Sequence, residues 1–359
     1  MIKLTMMSRL LLIALFALAK LSAQDVFTGV QRIVAVGDIH GGFTEFVTIL
    51  RQAGVIDTSN KWIGGATHLV QLGDVLDRGA DSRKALDLLA SLEAPAKKAK
   101  GRVHALLGNH EVMNMLGDLR YVAPGEFAAF ATPGSAELRN QAYDTLADQS
   151  RKSDAAYRKQ WETEHPLGWV EHRQAFAPDG RYGKTFLQRK AIVKINDTLF
   201  LHAGISAKFA AMSIEEINQN TRKELKELIA TGFLMDQDSP FWYRGMATDP
   251  EETLTPLVET VLKNFDVKRI VLGHTPTTGA IMPRFNGRVI LADVGLAGVY
   301  NGSLVSLVIE DGKAFALHRG TKLAIPSSPD ALFGYLKAAA ALDPAGTKFR
   351  NYVESLGQR

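Results

Sequence analysis

The chain has 359 residues, 46% of them apolar and 22% charged, enough to bury a sizeable core in one large domain or two small ones and too apolar for a disordered protein. No cysteine occurs, which excludes disulfides, thiolate metal ligands and a cysteine nucleophile. The formal charge of +4 sits mostly at the start: without residues 1–23 the chain loses Lys3, Arg9 and Lys20 and no acid, which leaves +1 and no support for a nucleic-acid partner.

Those first residues carry cationic Lys3 and Arg9, an apolar run from Leu10 to Ala19, and small-residue sites at Ala17-Leu18-Ala19 or Leu21-Ser22-Ala23. The run is too short to span a bilayer as a helix. Residues 1–23 therefore read as a secretory signal peptide, and the expected chain is periplasmic or secreted, with no stable membrane association once the leader is cleaved. An uncleaved anchor is the other reading; no strongly polar stop sequence follows to favour it.

Further along, six runs of apolar and β-branched residues predict strands: RIVAV (32–36), HLVQL (68–72), VHALL (103–107), TLFLH (198–202), RIVL (269–272) and VILA (289–292). Their apolarity is continuous rather than alternating, as in strands buried on both faces. Helical patterning in FTEFVTILRQAG and DSRKALDLLASLEA lies between the first three, at the length of βαβ units, so the fold class is α/β.

Each strand is followed by a turn that carries chemistry. In order these are GDIHGG (37–42), GDVLDRG (73–79), GNHE (108–111), His202-Ala-Gly, GHT (273–275) and Asp293-Val294-Gly295. Glycine lets the backbone turn at the exit, and the next Asp, Asn or His points into the crevice at the carboxyl ends of the strands. Asp38, His40, Asp74, Asn109, His110, His202 and His274 thus converge on one edge. Carboxylates crowded there repel one another and lose hydration, so a cation is the natural compensating charge. Carboxylate, amide oxygen and imidazole without sulfur suit Mn, Fe or Zn, and seven donors suit two divalent ions about 3.5 to 4 Å apart, the clamp used for phosphoester hydrolysis. By contrast His68 and His104, inside strands, and His165, His172 and His318, outside every motif, read as core or hydrogen-bonded histidines.

GDIHG, GDVLDRG and GNHE, followed by HAG and GHT, resemble the signature of the PPP-type metallophosphatases; GNHEVMNMLGDLRYV (108–122) and the leader resemble the Shewanella-like protein phosphatase branch. The resemblance implies a calcineurin-like metallophosphoesterase β-sandwich with flanking helices over residues 24–322. It also implies that Asp38, His40 and Asp74 hold one divalent ion (Mn, Fe or Zn) and that Asp74, Asn109, His202 and His274 hold a second, with Asp74 as the bridge. A water shared by two such ions is acidic enough to attack phosphorus as hydroxide near neutral pH. His110 is the candidate acid for the leaving oxygen, and Asp77 the carboxylate that orients its ring. Arg78 offers a planar fork to phosphate oxygens, against the plainer reading of a salt bridge to Asp74 or Asp77; Arg244 in FWYRG resembles a second phosphate-clamping arginine. Leu107 stands where the eukaryotic RGNHE motif has arginine, which removes a charge near the acid.

Between the third and fourth motifs, residues of about 113–184 are polar and helix-patterned, a helical insertion whose Tyr121, Trp161 and Trp169 either wall the substrate or seat helices on the sheet. Residues 323–359 read as a helical tail. The expected activity is a dinuclear-metal phosphoprotein phosphatase acting on phosphotyrosine or phosphoserine/threonine, its partner a phosphorylated protein or small phosphoester. Two alternatives stand beside it: a diadenosine-tetraphosphatase-like hydrolase of nucleotide polyphosphates, which the leader disfavours, and a non-catalytic module that captures phosphorylated ligands.

Overall fold

The computed structural model of the protein describes residues 25–300 and 302–358. The expected leader at 1–23 lies outside them. Among the described residues no helix is long and apolar enough to cross a membrane.

Among the described residues, twelve strands form two six-stranded sheets. In chain order they are β1 (Val26–Phe27), β2 (Arg32–Val36), β3 (His68–Gln71), β4 (Arg102–Ala105), β5 (Ile192–Ile195), β6 (Thr198–Leu201), β7 (Arg269–Leu272), β8 (Met282–Arg284), β9 (Val289–Leu291), β10 (Val305–Glu310), β11 (Lys313–His318) and β12 (Thr321–Ala324). One sheet runs β1-β5-β6-β7-β9-β8 and the other β12-β11-β10-β2-β3-β4. The six strands expected from sequence therefore divide three and three between two sheets. β2, β3 and β4 pair in parallel, as do β6, β7 and β9. Level registers, such as Val36 opposite Gln71 and Leu201 opposite Leu272, bring each triplet's carboxyl ends out side by side.

The side chains of each strand alternate between two apolar clusters. Ile33 and Ala35 join one, with Val70, Phe200, Val271 and Leu307, between the sheets; Val34 and Val36 join the other, with Leu69, Leu199, Ile270 and the helices. Burial on both faces is why these strands lack a polar face. The helices are α1 (Phe43–Gln52), α2 (Ser82–Lys98) and α3 (Asn109–Leu116), then in the insertion α4 (Pro124–Ala128), α5 (Ser135–Leu146), α6 (Ala155–Glu164), α7 (Trp169–Phe176) and α8 (Arg181–Phe186). Next come α9 (Ile214–Glu227), α10 (Gly245–Thr248), α11 (Glu251–Asn264), α12 (Pro329–Leu342) and α13 (Lys348–Leu356).

Two stretches differ from the sequence reading in detail. The hairpin β10-β11 and β12 alternate too irregularly to stand out beside the continuous strands, yet β10 pairs directly with β2. The division drawn at 322/323 falls inside β12, and Tyr335, Leu336, Ala339, Phe349 and Val353 of α12 and α13 bury into the inter-sheet cluster.

Candidate active site

Six strand exits, three from each sheet, meet at one rim. Several of their residues take left-handed backbone angles: His40 (φ 45), Asp74 (φ 55), Asp77 (φ 70), Arg78 (φ 69) and His274 (φ 64). Such angles cost energy in a side-chain-bearing residue and persist where the surroundings fix them. Glycine permits the closest approach: a Cβ on Gly108 would lie 2.1 Å from Asp74 Oδ1, and one on Gly273 2.5 Å from Asp38 Oδ1. The sheets are stitched here, since His274 N donates to Asp38 Oδ1 (3.0 Å) and His202 Nδ1 to Leu72 O (2.8 Å).

Asp74 lies at the centre. It belongs to two groups of donor atoms, His40–Asp74–His110 and Asp74–His202–His274, each with all its atoms within 4.8 Å of one another. Asp38 borders the first group, with Oδ2 3.8 Å from His40 Nε2. The first group thus includes His110, which the sequence reading set apart as the acid, while Asp38 stands at its border. Asn109 borders the second, with Oδ1 2.9 Å from His202 Nε2.

This donor set fits divalent cations. His40 and His202 each give Nδ1–H to a backbone carbonyl at 2.8 Å, which turns the Nε2 edge of each ring toward the cluster. His202 Nε2 then faces Asn109 Oδ1 and Asp74 Oδ2 (3.3 Å), three lone-pair donors that need either a proton or a cation between them. His274 turns Nε2 toward Trp242 O (3.2 Å), which leaves Nδ1 as its donor. Burial, then repulsion from Asp293 and Asp74, holds Asp38 well above the usual carboxylate range, and burial likewise pushes Asp293 up to about 6. Asp74 stays well below that range because the His202, His110 and His40 rings outweigh its burial. Buried carboxylates that resist ionisation beside bare imidazole nitrogens form a site short of positive charge.

Beside it, His110 Nδ1 makes a short contact with Asp77 Oδ2, while Asp77 Oδ1 accepts from Asn114 Nδ2 (2.9 Å). Burial alone would lower His110, but Asp74 and Asp77 outweigh it and push the ring up to about 8. The opposite edge, Nε2, faces the pocket, 3.8 Å from Asp74 Oδ2. That pocket, of about 250 Å³, is lined by His40, His110, Arg78, Arg244, Asp293 and Tyr300 among others. Arg78 forms no ion pair with Asp74 or Asp77 among the described residues; its guanidinium lies over the Tyr121 ring (4.2 Å) and its N–H bonds Tyr121 O (3.0 Å). Arg244 is anchored by Nη1 to His274 O (2.8 Å) and Thr275 Oγ1 (3.0 Å).

Of the three insertion aromatics, Tyr121 reaches the site, 5.2 Å from the His110 ring. Trp161 packs on Tyr143 and His165, and Trp169 on His165, so both seat helices. The sequence reading passed over Tyr300, which faces His40 at 5.6 Å, because it lies in no motif. It also gave no role to Glu111, whose buried carboxylate accepts the N–H groups of Gly108, Asp74 and Val75 at 2.8 Å each and so fixes two exit loops together. The E of GNHE was the available signal.

Residues 31–277 match the calcineurin-like phosphoesterase family. An uncharacterised protein of Schizosaccharomyces pombe is 32% identical over 80% of this chain and 81% of its own. Shewanella-like protein phosphatase 2 of Arabidopsis thaliana is 30% identical over 76% of this chain and 73% of its own. Among solved structures, the cold-active protein-tyrosine phosphatase of a psychrophilic Shewanella species superposes with a TM-score of 0.64 at 27% identity, covering 84% of this chain and 82% of that one.

Proposed function

From the premise that the chain belongs to the calcineurin-like phosphoesterase family, we propose that it is a phosphoprotein phosphatase that hydrolyses phosphomonoesters with two divalent ions. Asp38, His40 and Asp74 would hold one ion, and Asp74, Asn109, His202 and His274 the other. When bound, the ions supply Lewis acidity to the phosphate oxygens and an acidified water. The observation that carries this reading is Asp74's membership of two donor groups on the floor of a pocket with two arginines at its mouth.

The chain's own residues supply the rest. Arg78 and Arg244 present guanidinium forks to the non-bridging oxygens and set the phosphorus over the floor. Water oxygen bonds to phosphorus, giving up one proton to solvent, as the ester oxygen leaves on the opposite side. His110 Nε2 gives that oxygen its proton, and Asp77 keeps Nδ1 protonated and the ring in place.

Phosphotyrosine is the favoured substrate within this class. Two tyrosine rings, Tyr121 and Tyr300, flank the pocket and suit an aryl ester. The Shewanella relative is named a protein-tyrosine phosphatase, and the Arabidopsis relative a protein phosphatase. Action in the periplasm or outside the cell is part of the proposal and rests on the leader read at residues 1–23. The test is phosphate release from a phosphotyrosine peptide, a phosphoserine peptide and diadenosine tetraphosphate side by side. Faster release from the phosphopeptides supports it, and preference for the dinucleotide overturns it.

A further inference from the structure

A second cavity, of about 480 Å³, opens at the edge of the sandwich where β1 and β4 end their sheets. Its walls include Phe27, Glu93, Arg102, Lys184, Arg189 and Lys190. Four of those side chains are cationic and one is acidic. Lys190 is engaged by Asp25. Arg102 lies over the Phe27 ring (4.8 Å), and neither it nor Lys184 has an ion pair among the described residues. The cavity's imidazole, His104, bonds His68 at 3.0 Å; burial holds the former well below its usual range and the latter at about 4, so neither adds charge at neutral pH.

Arg189 is the unusual residue. It is 8% exposed, it lines the cavity, and its Nε and Nη1 are buried with no hydrogen-bond partner. Phe186 faces its guanidinium at 5.0 Å, and Glu93 and Glu111 act on it through their charge. A guanidinium desolvated without hydrogen bonds is costly, and a planar fork opening into a cationic hollow matches an oxyanion.

We propose that this cavity is a second anion site, which binds inorganic phosphate or its analogue sulfate through Arg189, with Arg102 and Lys184 at the rim.

The experiment is calorimetric titration of the metal-loaded chain with inorganic sulfate, with sulfate-free p-nitrophenyl phosphate turnover measured in parallel. Two sulfates are expected per chain. Arg78→Ala weakens one, while Lys184→Glu or Arg102→Glu weakens the other at least about fivefold, the loss expected of one partly screened ion pair, and leaves sulfate-free turnover unchanged. A single sulfate whose binding Arg78→Ala abolishes, or two whose binding neither rim variant changes, overturns the site.

Discussion

Replacing Asp77 by Asn isolates one carboxylate charge at the candidate acid. Holding His110 at about 8 rather than 6.5, against the pull of burial, corresponds to at least about 2 kcal/mol of carboxylate support for its protonated form. Asp77, in direct contact with Nδ1, supplies much of it. The variant is sterically conservative. Asn114 Oδ1 has no partner in the parent, so that amide can turn to meet the NH2 group that the substitution introduces, while the amide oxygen at the same position still accepts from His110. The imidazolium loses its counter-charge and part of its orientation, which together are worth about a hundredfold in proton delivery. Phosphoserine peptide, whose alkoxide cannot leave without that proton, should lose about a hundredfold in kcat. p-Nitrophenyl phosphate, with a stable leaving anion, should lose less than about threefold. Metal content, measured in parallel, should not change. Equal losses on both esters, or loss of metal with the charge, refute the acid assignment.

Three further outcomes are expected. Asp74→Asn keeps the left-handed backbone that Asn tolerates at φ 55 but removes the shared charge, so metal affinity should fall by more than the roughly hundredfold cost of an outer-shell change, as total metal analysis after dialysis will report. Tyr121→Ala strips the ring from Arg78 and should raise KM for phosphotyrosine peptide about two- to fivefold with kcat nearly constant, whereas Tyr121→Phe should not. His172 lies among Phe127, Phe130 and Phe176 with neither ring nitrogen bonded, and burial, then Arg173, lowers it from 6.5 to about 3. Because the unfolded chain takes up that proton first, the His172 contribution to stability is intact above about pH 6.5 and falls by about 2 kcal/mol by pH 5; the difference between parent and His172→Phe in urea titrations across pH should show this loss.

The cluster of Asp, Asn and His donors was legible because its chemistry follows strand exits. RIVAV, HLVQL and RIVL are buried, largely apolar runs without alternation, and glycine with Asp or His directly after them fixes both the turn and the candidate donor. What the runs do not encode is which sheet a strand joins: β2 and β7 read alike, yet they belong to different sheets and meet through the His274 amide and Asp38. Residues that act through a neighbour also escaped. Glu111 holds backbone amides rather than a ligand, Tyr300 approaches His40 from a loop without a motif, and Arg189 stands 78 residues from Glu111, whose charge acts on it. The missing motif arginine at Leu107 could be seen in the sequence. A buried cation beside Glu111, brought from the turn after α8, could not, because only folding brings the two together.

The most direct test of the account is turnover against metal loading. The metal-stripped chain would be titrated with Mn in fractional equivalents, and phosphate release from phosphotyrosine peptide followed at each step. Two donor groups sharing Asp74 predict negligible release without metal and saturation at two ions per chain. Full release from the stripped chain, or saturation at one ion, contradicts the shared-carboxylate site.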